Sequence, residues 1–336
     1  MKIVVDAFGG DNAPVEIVEG CVLALKKHKD LKIVLCGSIS KIREILDGRE
    51  DRIEIVNANE VISNDESPTE AIRKKTDSSL VKAFDTLKND ESVCALISAG
   101  STGAILTGAI MKIGRIKGIS RPTLAPVVPT KVMGKNVILA DSGANVDCKG
   151  INLAHFALMG STYYSILFGE KKPKVALLNI GVEEHKGNEL TKEANELLKT
   201  MPINYVGNME AREFMSGDYD VVVADGFNGN VLLKSTEGAV MGLLSMLKAS
   251  IKSHFCSKIG AIFMRKTFKE IKQSVNLSAH GGSPFLGIKK LVIKNHGSSG
   301  RENIAASIDQ AITLHKNKLI SKIEALLPKQ EPRDVE

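Results

Sequence analysis

Nine short β-branched runs, each followed by a longer amphipathic stretch, leave few architectures open to this chain. The runs are Ile3–Val5, Lys32–Leu35, Ile53–Val56, Val93–Ile97, Val137–Leu139, Val175–Leu178, Ile203–Val206, Val221–Val223 and Leu291–Ile293. Strand-length runs alternating with helix-length segments read as βαβ units on a mainly parallel sheet. With 336 residues, 43% of them hydrophobic, the chain can cover such a sheet on both faces. One large α/β unit over 1–327, or two intimately joined lobes, is expected, with a disordered tail over 328–336.

Several runs end directly in small polar residues. Asp6-Ala7-Phe8-Gly9-Gly10-Asp11, Ser98-Ala99-Gly100-Ser101-Thr102-Gly103, Asp141-Ser142-Gly143-Ala144-Asn145, Asn179-Ile180-Gly181 and Asp225-Gly226-Phe227-Asn228-Gly229-Asn230 all follow strands. Ligands of open α/β sheets bind at the carboxyl ends of strands, so these loops are expected to line one cleft. The Ser98–Gly103 loop runs into an apolar helix beginning near Ala104. Its hydroxyls and backbone N–H groups suit an anion, and equally suit a plain capped turn. Asn228, Asn230 and Lys234 precede or open a helix from Val231 onward. Amides beside a lysine polarise a carbonyl or hold a phosphate; the same residues also build an Asx-turn. Lys186 follows another strand end, placed either as a cation reaching the cleft or as an exposed lysine before a helix.

Absent patterns narrow the chemistry. There is no G-x-G-x-x-G, no phosphate-binding P-loop, no G-x-S-x-G elbow and no H-E-x-x-H, and no cysteine lies in the glycine loops. A covalent acyl-enzyme is disfavoured. Aspartates Asp6, Asp11, Asp141, Asp147 and Asp225 serve as loop ties without a metal, so neither metal nor cofactor is expected. The five cysteines form no C-x-x-C pair and read as reduced structural thiols. The opening Met1-Lys2-Ile3-Val4-Val5-Asp6 reads as a strand rather than a signal core, and the expected location is the cytoplasm. A net charge of +6 favours acidic partners. Nucleic acid is not among them: aromatics are 4%, Trp is absent, and no basic run is interleaved with stacking residues.

Leu243, Leu247, Ile251, Phe255 and Ile259 recur at helical spacing, followed by Ile262, Phe263 and Met264. Lys248, Lys252, Lys258, Arg265, Lys266, Lys269 and Lys272 face one acid, Glu270. A basic amphipathic stretch with an apolar tip suits anionic lipid, and a helix pair packed in a dimer explains the stripe before Phe255 equally well.

Taken together, the loops resemble those of the acyl-acyl carrier protein:phosphate acyltransferases, the PlsX family. The matching runs are Asp6 to Pro14, Ser98 to Ala104, Asp141 to Cys148, and Leu177 to Gly181 through Lys186-Gly187-Asn188-Glu189. Gly207 to Glu210, Asp225 to Asn230, Gly281 to Gly287 and His296-Gly297-Ser298-Ser299 continue the match in order over nearly the whole chain. Ser101 stands where the family often has Asn, Phe8 where it often has Met, and His280 where it often has Tyr. The resemblance implies a three-layer αβα Rossmann-like fold akin to isocitrate/isopropylmalate dehydrogenase and phosphotransacetylase. It also implies a homodimer, with a helical hairpin, about residues 231–272, that protrudes to touch the membrane. The implied reaction moves a long-chain acyl group from acyl carrier protein to inorganic phosphate, and the acyl phosphate passes to a membrane glycerol-3-phosphate acyltransferase.

Phosphate is itself an anionic oxygen nucleophile, so such a site must chiefly position it and stabilise the tetrahedral oxyanion. The expected phosphate ligands are Ser98, Gly100, Ser101, Thr102, Gly103, Asn145, Ser298 and Ser299, with Lys186. Asn228, Asn230 and Lys234 are expected to orient the carbonyl, and His296 is a candidate acid for the departing thiolate. Ile259, Ile262, Phe263, Met264, Arg265 and Lys266 are the expected membrane contact, although an acidic carrier protein suits the same surface. The alternatives are another enzyme of the same fold, either a short-chain phosphate acyltransferase using coenzyme A or a metal-dependent decarboxylating dehydrogenase, and a non-catalytic membrane-docked scaffold.

Overall fold

The computed structural model describes residues 1–274 and 280–327. The tail expected over 328–336 lies outside the described residues, as do the side chains of Lys269 and Lys272. The described residues form twelve strands: β1 (Lys2–Asp6), β2 (Lys32–Gly37), β3 (Ile53–Asn57), β4 (Val93–Ser98), β5 (Thr123–Leu124), β6 (Val127–Pro129), β7 (Asn136–Ala140), β8 (Lys174–Asn179), β9 (Asn204–Glu210), β10 (Val221–Val223), β11 (Ser283–Leu286) and β12 (Leu291–Lys294). The first six helices are α1 (Val15–Lys27), α2 (Ile39–Leu46), α3 (Pro68–Lys74), α4 (Ser79–Asn89), α5 (Thr102–Gly108) and α6 (Gly150–Phe168). The others are α7 (Glu189–Thr200), α8 (Gly226–Ser253), α9 (Phe255–Phe263), α10 (Arg265–Ser274), α11 (Arg301–Lys316) and α12 (Leu319–Leu326).

The strands form two sheets, one ordered β3-β2-β1-β4-β12-β11-β5 and the other β6-β7-β10-β8-β9. Pairing is parallel except around β11 and between β6 and β7. Side chains alternate across the strands with period two, so each strand feeds two cores. Ile3 and Val5 join a cluster with α1, α6 and α11, whereas Val4 joins another with α3, α4 and α5. Both faces of the first sheet are thereby covered by helices. Buried hydrophobics on α6 run from Leu153 through Tyr164, so this helix has no solvent face to spare. It belongs to the core cluster that also contains β8, β10 and β12 residues of both sheets.

The chain steps from the first sheet to the second through Ala125 and Pro126, and returns to the first between β10 and β11. The first crossing is fastened at the end of β7, where the Leu124 N–H donates to Asp141 Oδ1 at 2.9 Å and the Ser142 N–H donates to the Leu124 carbonyl at 3.1 Å. Strand β5, at the edge of the first sheet, is thereby tied to the carboxyl end of β7 in the second.

The helix opening with Asp225 starts earlier than its sequence indicates. Helix α8 begins at Gly226, because Asp225 caps it by accepting the Asn228 N–H at 2.9 Å. Gly226 and Gly229, which read as turn residues, lie inside its first turns. Beyond Leu232 no residue of α8 is buried, and Met241, Leu243 and Met246 are 66–71% exposed. Beyond Leu233 the described residues of the α8–α10 arm join no buried cluster, so the arm projects outward.

Candidate active site

Asp6, at the end of β1, organises the first half of the site. Its carboxylate is 2% exposed; it accepts the Ser98 hydroxyl at 2.7 Å and the Phe8 N–H at 3.3 Å. Burial pushes the Asp6 pKa up, and hydrogen bonds from Ser79, Ser98 and the loop backbone oppose that shift. Ser98 Oγ also accepts the Gly100 N–H at 3.1 Å. The Ser98 hydroxyl is therefore committed to joining the loops after β1 and β4, and the remaining polar groups of its loop, at Ser101, Thr102 and Gly103, are half-buried.

The loop after β12 locks onto the same pair. The Asn295 N–H donates to the Ser98 carbonyl at 2.8 Å, the Asp11 N–H to the Gly297 carbonyl at 2.8 Å, and Asn12 Nδ2 to the Ser298 carbonyl at 3.0 Å. His296 Nδ1 lies 2.8 Å from Ser298 Oγ. Ser299 is 4% exposed and its hydroxyl has no hydrogen-bond partner among the described residues. A buried hydroxyl without a partner is uncommon in a folded protein.

Asp141 organises the other half. Its fully buried carboxylate accepts four N–H groups: Leu124 at 2.9 Å, Ala144 at 3.2 Å, the Asn145 backbone at 2.7 Å and Asn145 Nδ2 at 2.8 Å. Asn145 Nδ2 also donates to the Pro122 carbonyl at 2.7 Å, and its own carbonyl accepts the Gly226 N–H at 2.7 Å. Asn228 Nδ2 donates to Asp225 Oδ2 at 2.6 Å. Both amides thus hold the junction together, while Asn230 stays exposed with its side chain beside Gly143. A cavity of about 280 Å³ opens here, lined by Val146, Asp147, Cys148, Leu190, Asp225, Phe227 and Asn228. Burial, followed by the Asp141 charge, pushes the Cys148 thiol up to about 11, so this cysteine is no ready nucleophile at neutral pH.

The two halves share one electrostatic field. Lys234 on α8 pairs with Glu237 at 2.9 Å. Lys294, at the end of β12, has its pKa lowered by burial and then by the Lys234 charge, with Glu237 and Asp11 opposing. His296 is lowered by burial and then by Lys294 and Lys234, which favours the neutral imidazole. A neutral imidazole takes up a proton before it can give one, so His296 is better placed as a proton relay than as a resting acid.

The structure thus brings the loops holding Ser98, Gly100, Ser298, Ser299 and His296 together; from the other half the Lys234 charge acts on Lys294 and His296, while Asn145, Asn228 and Asn230 lie against Asp141, Asp225 and Gly143. Lys186 is exposed and makes no ion pair among the described residues; its backbone shapes the loop before α7, accepting Asn179 Nδ2 at 3.2 Å. Sequence reasoning did not single out Lys294; Asp6 and Asp141, read there as loop ties, do tie loops here. The available signal at Lys294 was a lone charge closing an apolar strand immediately before Asn295-His296-Gly297. Among the described residues no group of three or more His, Cys, Asp or Glu stands together to hold a metal.

At the arm, Ile262 and Phe263 are 72% and 85% exposed, Ile259 and Met264 are less so, and Arg265 and Lys266 stand beside them in solvent. No helix among the described residues is long and apolar enough to cross a membrane.

The model of the fatty acid synthesis protein family matches residues 1–322. A phosphate acyltransferase of Clostridium tetani is 47% identical over 329 residues, covering 96% of this chain and 97% of its own length. The phosphate acyltransferase of Clostridium acetobutylicum is also 47% identical, over 97% of this chain and 99% of its own. Among solved structures, a phosphotransacetylase from Streptococcus pyogenes superposes with a TM-score of 0.60 at 18% identity, over 94% of both chains. A branched-chain phosphotransacylase from Enterococcus faecalis gives 0.59 at 17% identity, over 93% of this chain and 98% of that one. These two share the fold, in agreement with the expected αβα architecture. By family match and by identity over nearly its full length, the chain belongs to the PlsX family of phosphate acyltransferases and is an acyltransferase.

Proposed function

We propose that this enzyme transfers a long-chain acyl group from acyl-acyl carrier protein to inorganic phosphate, releasing acyl phosphate for phospholipid synthesis. The observation that carries this reading is that the Lys234 and Lys294 charges act on one another and on His296 beside the Ser298 hydroxyl, while the Cys36 and Cys148 thiols of the adjoining strand ends are held in their unreactive form. A site built for an anionic nucleophile needs cations and N–H donors more than a nucleophile of its own.

In the proposed step a phosphate oxygen of HPO₄²⁻ attacks the thioester carbonyl and forms the C–O bond. The C–S bond breaks with its electron pair on sulfur. The proton carried by phosphate ends on the thiol, with neutral His296 as the relay, so atoms and charge balance. Phosphate lies against the Ser98–Gly103 and Ser298–Ser299 loops, with Lys186 approaching from the α7 side. Asn230 and Lys234 face the carbonyl; Asn145 and Asn228 position them through Asp141 and Asp225.

The same reading assigns a homodimer, and a cytoplasmic enzyme held peripherally at anionic membrane through Ile259, Ile262, Phe263, Met264, Arg265 and Lys266. The exposed apolar tip flanked by cations supports that contact. It would place product near a membrane glycerol-3-phosphate acyltransferase. The deciding assay offers long-chain acyl-acyl carrier protein and acetyl-coenzyme A separately, each with and without phosphate. Phosphate-dependent acyl phosphate from the long-chain substrate, at a kcat/KM at least about a hundredfold above acetyl-coenzyme A, is expected. Preference for acetyl-coenzyme A identifies the short-chain enzyme, and no turnover with either identifies a scaffold.

A further inference from the structure

We propose that Lys294 is the principal phosphate-binding cation of this site, acting from the end of β12 opposite Lys234. Lys294 pairs in register with Ser98 on one side and with Ser283 on the other, so its backbone is fixed between two strands. Its side chain is half-buried, and no carboxylate lies within ion-pair distance of its ammonium among the described residues. Lys234, by contrast, already has Glu237 at 2.9 Å.

A desolvated ammonium without a counter-ion is costly, and an arriving anion removes that cost. Two further observations place the anion here. Ser299, in the loop that Lys294 leads into, carries a hydroxyl that is buried and unpartnered. Ser298 Oγ and His296 Nδ1 lie 2.8 Å apart in the same loop, and the Lys294 charge acts on His296, so a hydroxyl and a proton relay share the cation's field. Asp11 and Glu237 are the acidic groups that act on Lys294, and both do so from beyond direct pairing. The ligand class is therefore a compact oxyanion carrying two charges, inorganic phosphate in the proposed reaction. The inference rests on that reaction for its substrate but not for its binding chemistry.

Lys294→Met keeps the length of the side chain and removes the charge. It is expected to raise the KM for phosphate roughly 30-fold, the value of one charge-assisted hydrogen bond, while the thioester KM stays within about twofold. With no ion pair to lose, the variant without phosphate should melt at or above the wild-type temperature. Inorganic phosphate should raise the melting temperature of wild type and leave that of Lys294→Met unmoved. Lys294→Gln is read identically should the Met variant fold poorly. A phosphate KM within threefold of wild type, or undiminished phosphate protection in either variant, overturns the inference. Protection by phosphate is measured without turnover, so a failed acyl transfer reaction in the wild type is told apart from a failed role for Lys294.

Discussion

Replacing Asp141 by Ala should lower unfolding free energy by about 3–5 kcal/mol and abolish acyl transfer, although Asp141 touches no substrate. Its carboxylate accepts four N–H groups from Leu124, Ala144 and Asn145 in a site with no access to water. Alanine leaves those donors buried without partners, at about 1–3 kcal/mol for each that solvent cannot reach. The loss is also geometric, because Leu124 belongs to the first sheet and Asn145 holds the start of α8. A thermal melt should show the destabilisation, with the melting temperature down by on the order of 4–7 °C. Asp141→Asn is the informative companion: it keeps the shape and one acceptor, and should retain more stability than activity. Wild-type stability in Asp141→Ala would mean that the junction is held elsewhere.

Gly229→Ala should cut kcat/KM by at least about a hundredfold while changing overall stability far less. A Cβ at position 229 would overlap the Asp141 carbonyl oxygen, a backbone atom that cannot turn aside. Gly226 is similarly pressed, with an added Cβ 2.5 Å from the Asn145 carbonyl oxygen. Relief requires the first turns of α8 to lift from the β7 loop, carrying Asn230 and Lys234 away from Lys294 and His296. A misplacement of about 1 Å at a preorganised site is enough for a loss of that size. Steady-state kinetics with a thermal melt separates the outcomes: unchanged kcat/KM would show that the close approach of α8 is irrelevant to catalysis.

How much of this was legible beforehand follows a physical line. The parallel strands announced themselves because burial on both faces demands continuous β-branched runs, as at Val221–Val223 and Leu291–Ile293. Strands β5, β6 and β11 did not. They are short and antiparallel, and prolines at Pro122, Pro126, Pro129 and Pro284 interrupt any alternation, yet they are the segments that join the sheets. Loop composition marked strand ends whose loops the fold does tie to one another, as Asp6 with Ser98 and Asn295 with Ser98. It did not reveal which side chains face a ligand and which brace the loops. Asn145 and Asn228 read as ligands from sequence, but their amides are engaged by Asp141 and Asp225; conversely Lys294, hidden at the end of an apolar strand, was passed over. Hydrogen-bond partners nearly a hundred residues apart, such as Asp6 and Ser98, leave no local trace. The early start of α8 escaped for a related reason: glycines that signal a turn in isolation here allow a helix to touch backbone.

The absence of a covalent acyl-enzyme is tested most directly by intact-protein mass spectrometry after mixing enzyme with long-chain acyl-acyl carrier protein in phosphate-free buffer. Direct attack by phosphate predicts an unchanged protein mass and no carrier thiol released until phosphate is added. A protein heavier by one acyl group, formed with stoichiometric thiol release before phosphate arrives, at Cys148 or any other side chain, would contradict it.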